Sequence, residues 1–298
     1  MSSNLSSANN QRIKLEFMES SPSGSQTTIP IQEPASTDLD FKMNEQVSED
    51  NASLLSSVCH PRIVTCQGSI ACDAAGNEIK LKGALLDLVE SFKCLPNVVA
   101  KAYFLQLLDV IEYLHQSADL YHGDLNVQNI LVDETFNLRV TGVVSTKNVT
   151  PAETDVSAST TCVEEFSCPE IWKGETSNTF HKNTFALGVI LFEMVAGFKP
   201  FESARPEDPI YNLLILNKEE EFWQFHEALK TEMTGLTPAK EHFSPEFRGI
   251  INSMLAYEAG DRLKDTADIR KHAWCQGIAL NDQSLSTLMK EIAKKMCL

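Results

Sequence analysis

YHGDLNVQNILVDETFNLRVTG, residues 121–142, joins a short polar loop to two strand-like runs, NILVDE and LRVTG, set around a turn. Within the loop, Asp124 stands two residues after His122, and Asn129 follows Asp124 by five. An aspartate beside an acceptor hydroxyl can orient it and take its proton, and an amide oxygen can complete a magnesium shell. Either side chain can equally cap backbone in a tight loop, so the pair taken alone also has a purely structural reading.

Outward from this stretch, Asn97 to His115 places Val98, Ala102, Leu105, Leu108, Ile111, Tyr113 and Leu114 at mostly helical spacing, which predicts a buried helix. Helical patterns also follow the polar segment 146–161: FALGVILFEMV, then EEEFWQFHEALK, then PEFRGIINSMLAY. Aromatic residues such as Phe222, Trp223 and Phe225 in the second of these are more often core than interface. SLSTLMKEIAKKM, near the end, predicts a short amphipathic helix docked on its own domain. Residues 1–60 are polar and Ser-rich, with IKLEF at 13–17 and TTIPI at 27–31 as the strand-like runs.

The 298 residues, 43% of them hydrophobic, are enough for a folded core. Twenty-five Lys and Arg against 41 Asp and Glu leave a formal charge of -16, which disfavours a phosphate backbone as partner and argues against nucleic acid. Eight dispersed cysteines without CxxC pairs point to reduced thiols, and Cys162 and Cys168 are too isolated from other ligands for zinc. The first residues lack the apolar core of a signal peptide, and the longest apolar run, Phe185 to Gly197, is too short for a bilayer. A soluble, cytoplasmic protein with no membrane partner is the expectation.

HPRIV, YLH, HGDLNVQN, CPE, FALGVILF, PF and RLKDTADIRKHAW occur in one order over about residues 60–275. This series resembles the protein Ser/Thr kinases, especially the calcium/calmodulin-dependent-kinase-like group of ciliates. The resemblance implies an α+β, two-lobed protein-kinase-like fold with a reduced β-rich N-lobe and a helical C-lobe. It divides the chain into a degenerate N-lobe with a flexible polar terminus at 1–82, the helical C-lobe at 83–278 and a C-terminal tail helix at 279–298. It also implies roles: Asp124 matches the family's base, and Asn129 its metal-binding asparagine. Glu170 of CPE and Arg262 of GDRLK match a buried structural ion pair.

Several other positions depart from the family pattern. Gly142, Val143 and Val144 stand where Asp-Phe-Gly belongs, and no carboxylate occurs between Glu134 and Glu153. Gly142 has no oxygen to offer magnesium, so no metal site is expected. Gly123 replaces the Arg of the catalytic loop and Asn126 its Lys, removing an anchor for a phosphorylated segment and a cation near the transferred phosphoryl group. Laid against the glycine-rich loop, residues 5–15 place Ser6, Ala8 and Gln11 at the glycines. Gln32, or Pro30 in another register, replaces the strand lysine, and no lysine lies between Lys14 and Lys42. Asn51 takes the place of that lysine's Glu partner, with Glu49 and Asp50 out of register. Asn183 replaces the Asp that braces the catalytic loop, and Val163 the Thr that faces the base.

Asp124 and Asn129 are thus relics in the first reading, a pseudokinase that acts through protein partners, other kinases or their substrates, as a scaffold or allosteric regulator in signalling. No cofactor is expected there. The alternative is an atypical ATP-dependent protein serine/threonine kinase that keeps Asp124 as base, uses ATP and magnesium, and borrows a displaced lysine from Lys14, Lys80 or Lys82. A third reading, a decayed product with no selected role, conflicts with the coherent apolar pattern through Leu255.

Overall fold

The computed structural model describes residues 58, 60–67, 70–73, 75–116, 120–145, 164–175, 179–235 and 242–296. The strand-like runs at 13–17 and 27–31, the glycine-loop alignment, Lys14, Gln32, the acids at 49–50 and Val163 lie outside them.

Among the described residues the strands form three small antiparallel sheets. β1 (Thr65–Gln67), β2 (Ile70–Cys72) and β3 (Glu78–Ile79) form a meander. The short strand β4 (Leu81–Ala84) leads directly into helix α1 (Leu85–Phe92), whose first turn is closed by the Ala84 N–H donating to Asp87 Oδ2 at 2.7 Å. After α2 (Asn97–Gln116) come β5 (Leu120–His122), β6 (Ile130–Asp133), β7 (Leu138–Val140) and β8 (Val143–Ser145). β4 pairs with β6 and β6 with β7, while β5 pairs with β8. The boundary drawn near residue 82 therefore falls inside a strand whose hydrogen-bond partner is the hairpin of the helical region. Lys80 and Lys82 are exposed there, and the Lys82 ammonium lies 4.7 Å over the Phe136 ring.

The hairpin β6–β7 forms where NILVDE and LRVTG predict it. Asp133 closes its turn: Oδ1 accepts from Thr135 N, Thr135 Oγ1 and Asn137 N at 2.6–3.0 Å, and Arg139 Nε donates to Oδ2 at 2.9 Å. The HPRIV segment runs beside β7, with Val64 N donating to Val140 O and Val140 N to Arg62 O.

The remaining elements are helices: α3 (Pro169–Lys173), α4 (Thr179–Ala196), α5 (Tyr211–Ile215), α6 (Glu219–Thr234), α7 (Pro245–Leu255), α8 (Thr266–Lys271) and α9 (Asp282–Met296). α4 is the centre of the core, with every residue from Asn183 to Ala196 buried. An apolar helix needs close neighbours, and Gly188 supplies one approach: a Cβ there would lie 2.9 Å from Leu255 Cδ2 and Met254 Cβ of α7. Gly197 ends α4 at φ +82°, against the Lys93 carbonyl, in space no side chain could share. α7 starts by rule, with Ser244 Oγ accepting from Phe247 N and Pro245 in the first turn.

Burial refines two expectations. In α2, Ala102, Leu108, Ile111 and Leu114 are buried, but Val98, Leu105 and Tyr113 are half-buried, and Val99, Tyr103, Phe104, Leu107 and Val110 fill the core. The helix is covered on more than one side, so one apolar stripe does not describe it. In α6, Phe222 and Trp223 are core, whereas Phe225 is 42% exposed. The tail helix α9 buries Leu285, Ser286, Met289, Ile292 and Ala293. Its first residue, Asp282, receives two hydrogen bonds from Arg62 at 2.7 and 2.8 Å and one from Gln106 at 3.1 Å, while the Gln106 amide also bonds Asn137 of the hairpin turn. No helix among the described residues is long and apolar enough to cross a membrane.

Candidate active site

The loop 123–129 is closed at both ends by β-pairing. His122 pairs with Val143 across β5–β8, and Ile130 with Val140 across β6–β7, so the chain on either side of the loop is fixed to the chain on either side of Thr141 and Gly142. Gly123 N donates to Gly142 O at 3.3 Å, and Thr141 N and Oγ1 both donate to Asn129 O at 3.0 and 3.1 Å. That register brings Asp124, Asn129 and Gly142 into one small region although 18 residues separate the first from the last.

Within the loop, Asn129 Nδ2 donates to the Asp124 carbonyl at 2.7 Å and to Asp124 Oδ2 at 3.2 Å. The base candidate and the amide candidate are therefore in direct contact. Burial of Asp124 raises its pKa above the usual carboxylate range, against the lowering effect of the Asn126 and Asn129 amides. Asn126 stands where the family's loop lysine belongs, and it is a buried staple: Oδ1 accepts from Gln128 N at 2.9 Å and Asn129 N at 3.1 Å, and Nδ2 donates to the Asp124 carbonyl at 3.2 Å. An ammonium could not accept those two backbone N–H groups, so Asn126 builds the loop in a way a lysine could not.

His122 belongs to the site by contact. Its buried ring accepts from Asp124 N–H through Nδ1 at 3.2 Å, and burial holds its pKa down to about 4, with the Thr141 backbone opposing weakly. The neutral tautomer with the proton on Nε2 follows from that hydrogen bond. The roles of Asn126 and His122 were not assigned from the sequence, although Asn three residues before Asn129 in a loop is an Asx-turn pattern that signals a backbone staple.

Gly142 sits at φ +78°, and a Cβ there would lie 3.2 Å from His122 Cε1 and 3.9 Å from Asn129 Nδ2. Position 142 thus faces Asn129 where a carboxylate would have met it, and glycine brings none. Among the described residues the Asp124 carboxylate, already engaged by Asn129, is the charged oxygen donor of this loop, beside the amide oxygens of Asn126 and Asn129. Magnesium ordinarily takes one or two carboxylates plus phosphate oxygens, and position 142 contributes no carboxylate to such a shell.

Away from the loop, Glu170 and Arg262 meet in a buried bidentate pair, Nη1 to Oε1 at 2.8 Å and Nη2 to Oε2 at 2.9 Å. Arg262 also caps backbone, donating to the carbonyls of Ala256 at 2.8 Å and Tyr257 at 3.2 Å. Burial pushes the Glu170 pKa up, but the Arg262 guanidinium more than offsets this and leaves it lowered. Asn183 is buried in α4 with no hydrogen-bond partner for Nδ2 among the described residues, whereas a carboxylate at that position would present only acceptors.

Residues 34–275 match the model of the protein kinase domain, and the chain belongs to that family. It is 26% identical over 237 residues to cAMP-dependent protein kinase type 3 of Saccharomyces cerevisiae, covering 76% of this chain and 52% of that protein. It is 28% identical over 193 residues to CBL-interacting protein kinase 8 of Oryza sativa subsp. japonica, covering 63% and 42%. It is 29% identical over 192 residues to CBL-interacting serine/threonine-protein kinase 24 of Arabidopsis thaliana, covering 63% and 42%. The alignments thus span about half of these relatives, which are protein kinases by name, the last of them a serine/threonine-protein kinase, and the fold is the α+β fold of that domain.

Proposed function

We propose that this protein kinase domain works by binding and not by phosphoryl transfer: a pseudokinase, degenerate from a calcium/calmodulin-kinase-like ancestor, that acts in the cytoplasm as a scaffold or allosteric regulator of other kinases or their substrates. The observation that carries the reading is Gly142. Phosphoryl transfer is almost entirely positioning and charge neutralisation, so a site works only while cations hold the phosphates in line with the acceptor. Position 142 faces Asn129 without a carboxylate, Asn126 is a loop staple where a cation would stand, and Gln32 is neutral. Loss of one preorganised electrostatic group commonly lowers a rate by about 10²–10³, and several are absent together.

A second reading is favoured by one feature: the Asp124–Asn129 contact is intact, with Asp124 in the position of the family's base. In it the chain is an atypical ATP-dependent protein serine/threonine kinase. One assay separates the two. Phosphate incorporation into the chain itself and into a generic basic substrate is measured with magnesium and then manganese. No incorporation above an Asp124→Asn control is expected; incorporation that Asp124→Asn abolishes would establish the second reading.

A further inference from the structure

The tail helix α9 hangs on a short strap. The chain is fastened at Gln276, whose carbonyl accepts from Lys101 Nζ at 2.7 Å and whose side-chain amide donates to the Arg270 carbonyl. From Gly277 to Leu280 it is neither helix nor strand, and among the described residues no backbone–backbone hydrogen bond holds it. Gly277 and Ala279 are exposed, and Gly277 stands at φ +85° with open space where a Cβ would lie. Such a stretch can turn without breaking packing, so it carries α9 without fixing its direction.

What fixes α9 is its own contacts. Leu285, Met289 and Ile292 fall at i, i+4 and i+7 and are buried, which gives the helix one apolar side. At its first residue the attachment is ionic: Arg62 Nη2 donates to both Asp282 oxygens at 2.7 and 2.8 Å, and Gln106 Nε2 adds a third bond at 3.1 Å. The Arg62 side chain is 12% exposed and that of Asp282 56%, so this joint lies at the rim, where an ion pair is far weaker than the buried Glu170–Arg262 pair.

Both partners of Asp282 also hold the β6–β7 hairpin. Gln106 Oε1 accepts from Leu138 N at 2.9 Å, and its amide donates to Asn137 Oδ1 at 2.8 Å. The Arg62 carbonyl accepts from Val140 N at 2.7 Å, and Val64 N donates to Val140 O at 3.0 Å. β6 begins directly after Asn129, and β7 ends directly before Thr141 and Gly142. The hairpin that meets the two holders of α9 therefore also carries one end of the catalytic loop and the approach to Gly142.

We propose that α9 is a releasable clasp. Docked, it holds Arg62 and Gln106 against β6–β7 and so steadies the hairpin that carries the catalytic loop; released about the hinge at 277–280, it loosens that hairpin while the helical core stays folded. Coupling of this kind is reciprocal, so whatever grips α9 is felt at the loop, and whatever fills the loop changes the hold on α9. The inference goes beyond the proposed function and stands whether or not the chain transfers phosphate, because it concerns backbone opening and not turnover.

The test is amide hydrogen exchange on the full chain, in the wild type, Asp282→Ala, Met289→Glu and Glu291→Ala. The Val64, Leu138 and Val140 amides report the hairpin, those of α9 the clasp, and those of α4 and α7 the core. Asp282→Ala should speed exchange in α9 and at the three hairpin reporters by about twofold to fivefold, the scale of a rim ion pair. Met289→Glu, which sets a charge on the buried side of α9, should speed the same amides by about tenfold or more. In both variants α4 and α7 should stay within about twofold of wild type, since they belong to a separate unit of opening. Glu291→Ala, on the exposed side of α9, should leave all three regions within about twofold, as surface substitutions commonly do. Faster exchange in α9 alone would break the coupling and overturn the proposal. An equal rise in α4 and α7, or failure of Met289→Glu to fold, would make α9 a fixed part of the core and overturn it too. So would unchanged exchange in α9 in both Asp282→Ala and Met289→Glu, or a rise in Glu291→Ala equal to that in Asp282→Ala.

Discussion

The catalytic loop and the Glu170–Arg262 joint treat their charges in opposite ways. Glu170 is held by both arms of a guanidinium, and Asp133, nine residues past Asp124, is surrounded by Thr135, Asn137 and Arg139. Both carboxylates have lowered pKa values despite burial. Asp124 receives hydrogen bonds from amides alone, and its pKa is raised. Glu170 and Asp133 each have an arginine partner, while Asp124 has no cationic partner among the described residues. A fold can lose the cations of its chemistry and keep the cations of its structure, because only the latter leave a charge stranded in the core when removed.

The strongest challenge to this contrast is Arg262→Ala. It strands Glu170 and leaves two backbone carbonyls without their donor, so it should cost about 3–5 kcal/mol and lower the thermal midpoint by many degrees. An unchanged midpoint would remove the joint from the account.

Acid lability gives the next effect. His122 and His226 are buried and neutral, with pKa values brought down by burial to about 4 and about 3. Unfolded, each takes a proton as pH falls through the ordinary value near 6.5, and folded it does not until much lower pH. Each therefore contributes stability that is present above that value and is lost as pH falls, by up to about 1.4 kcal/mol per pH unit. Glu193 acts oppositely: burial first, then the nearby Glu165 and Glu90, raise its pKa to about 7 against Lys199. It favours the folded state below its unfolded value and loses that contribution as pH rises towards 7. Urea midpoints from pH 7 to pH 5 should fall in the wild type, and less steeply in His226→Phe, which keeps an aromatic ring in the cluster around Phe192. Equal slopes in the two would show that His226 does not remain neutral in the fold.

Asp133→Asn tests the hairpin side of the comparison. It removes the charge that Arg139 faces and unsettles the turn, at about 1–3 kcal/mol in a urea melt. Gly142→Asp sharpens the other side. Asp tolerates left-handed backbone, so the strain at φ +78° and the tight approach to His122 should cost about 1 kcal/mol. It should also create a magnesium-dependent rise in thermal midpoint that the wild type lacks, because the added carboxylate faces Asn129. A wild type with an equal magnesium response would break the argument from Gly142. The smallest effect is expected for Asp124→Asn. Its raised pKa means the fold disfavours the charged form, so the midpoint should stay within about 0.5 kcal/mol of wild type or rise slightly.

The sequence by itself determined the family order of motifs, the hairpin after HGDLNVQN, the helical patterns of Asn97–His115, FALGVILFEMV and PEFRGIINSMLAY, and the identities at positions 123, 126 and 142. These are legible because helical periodicity, strand runs and capping residues act locally, and because a missing carboxylate is a fact of composition. The tertiary structure alone decided which side chains meet. Strand register sets Gly142 beside His122 and Asn129. Asn126 points its oxygen at two backbone N–H groups, so a position that reads as a lost cation is an installed staple. Phe222 and Phe225 are three residues apart in one helix, yet one is core and the other exposed, because burial depends on which neighbours arrive from distant parts of the chain. Local sequence carries no record of those arrivals, and they follow only from the way the helices and strands pack.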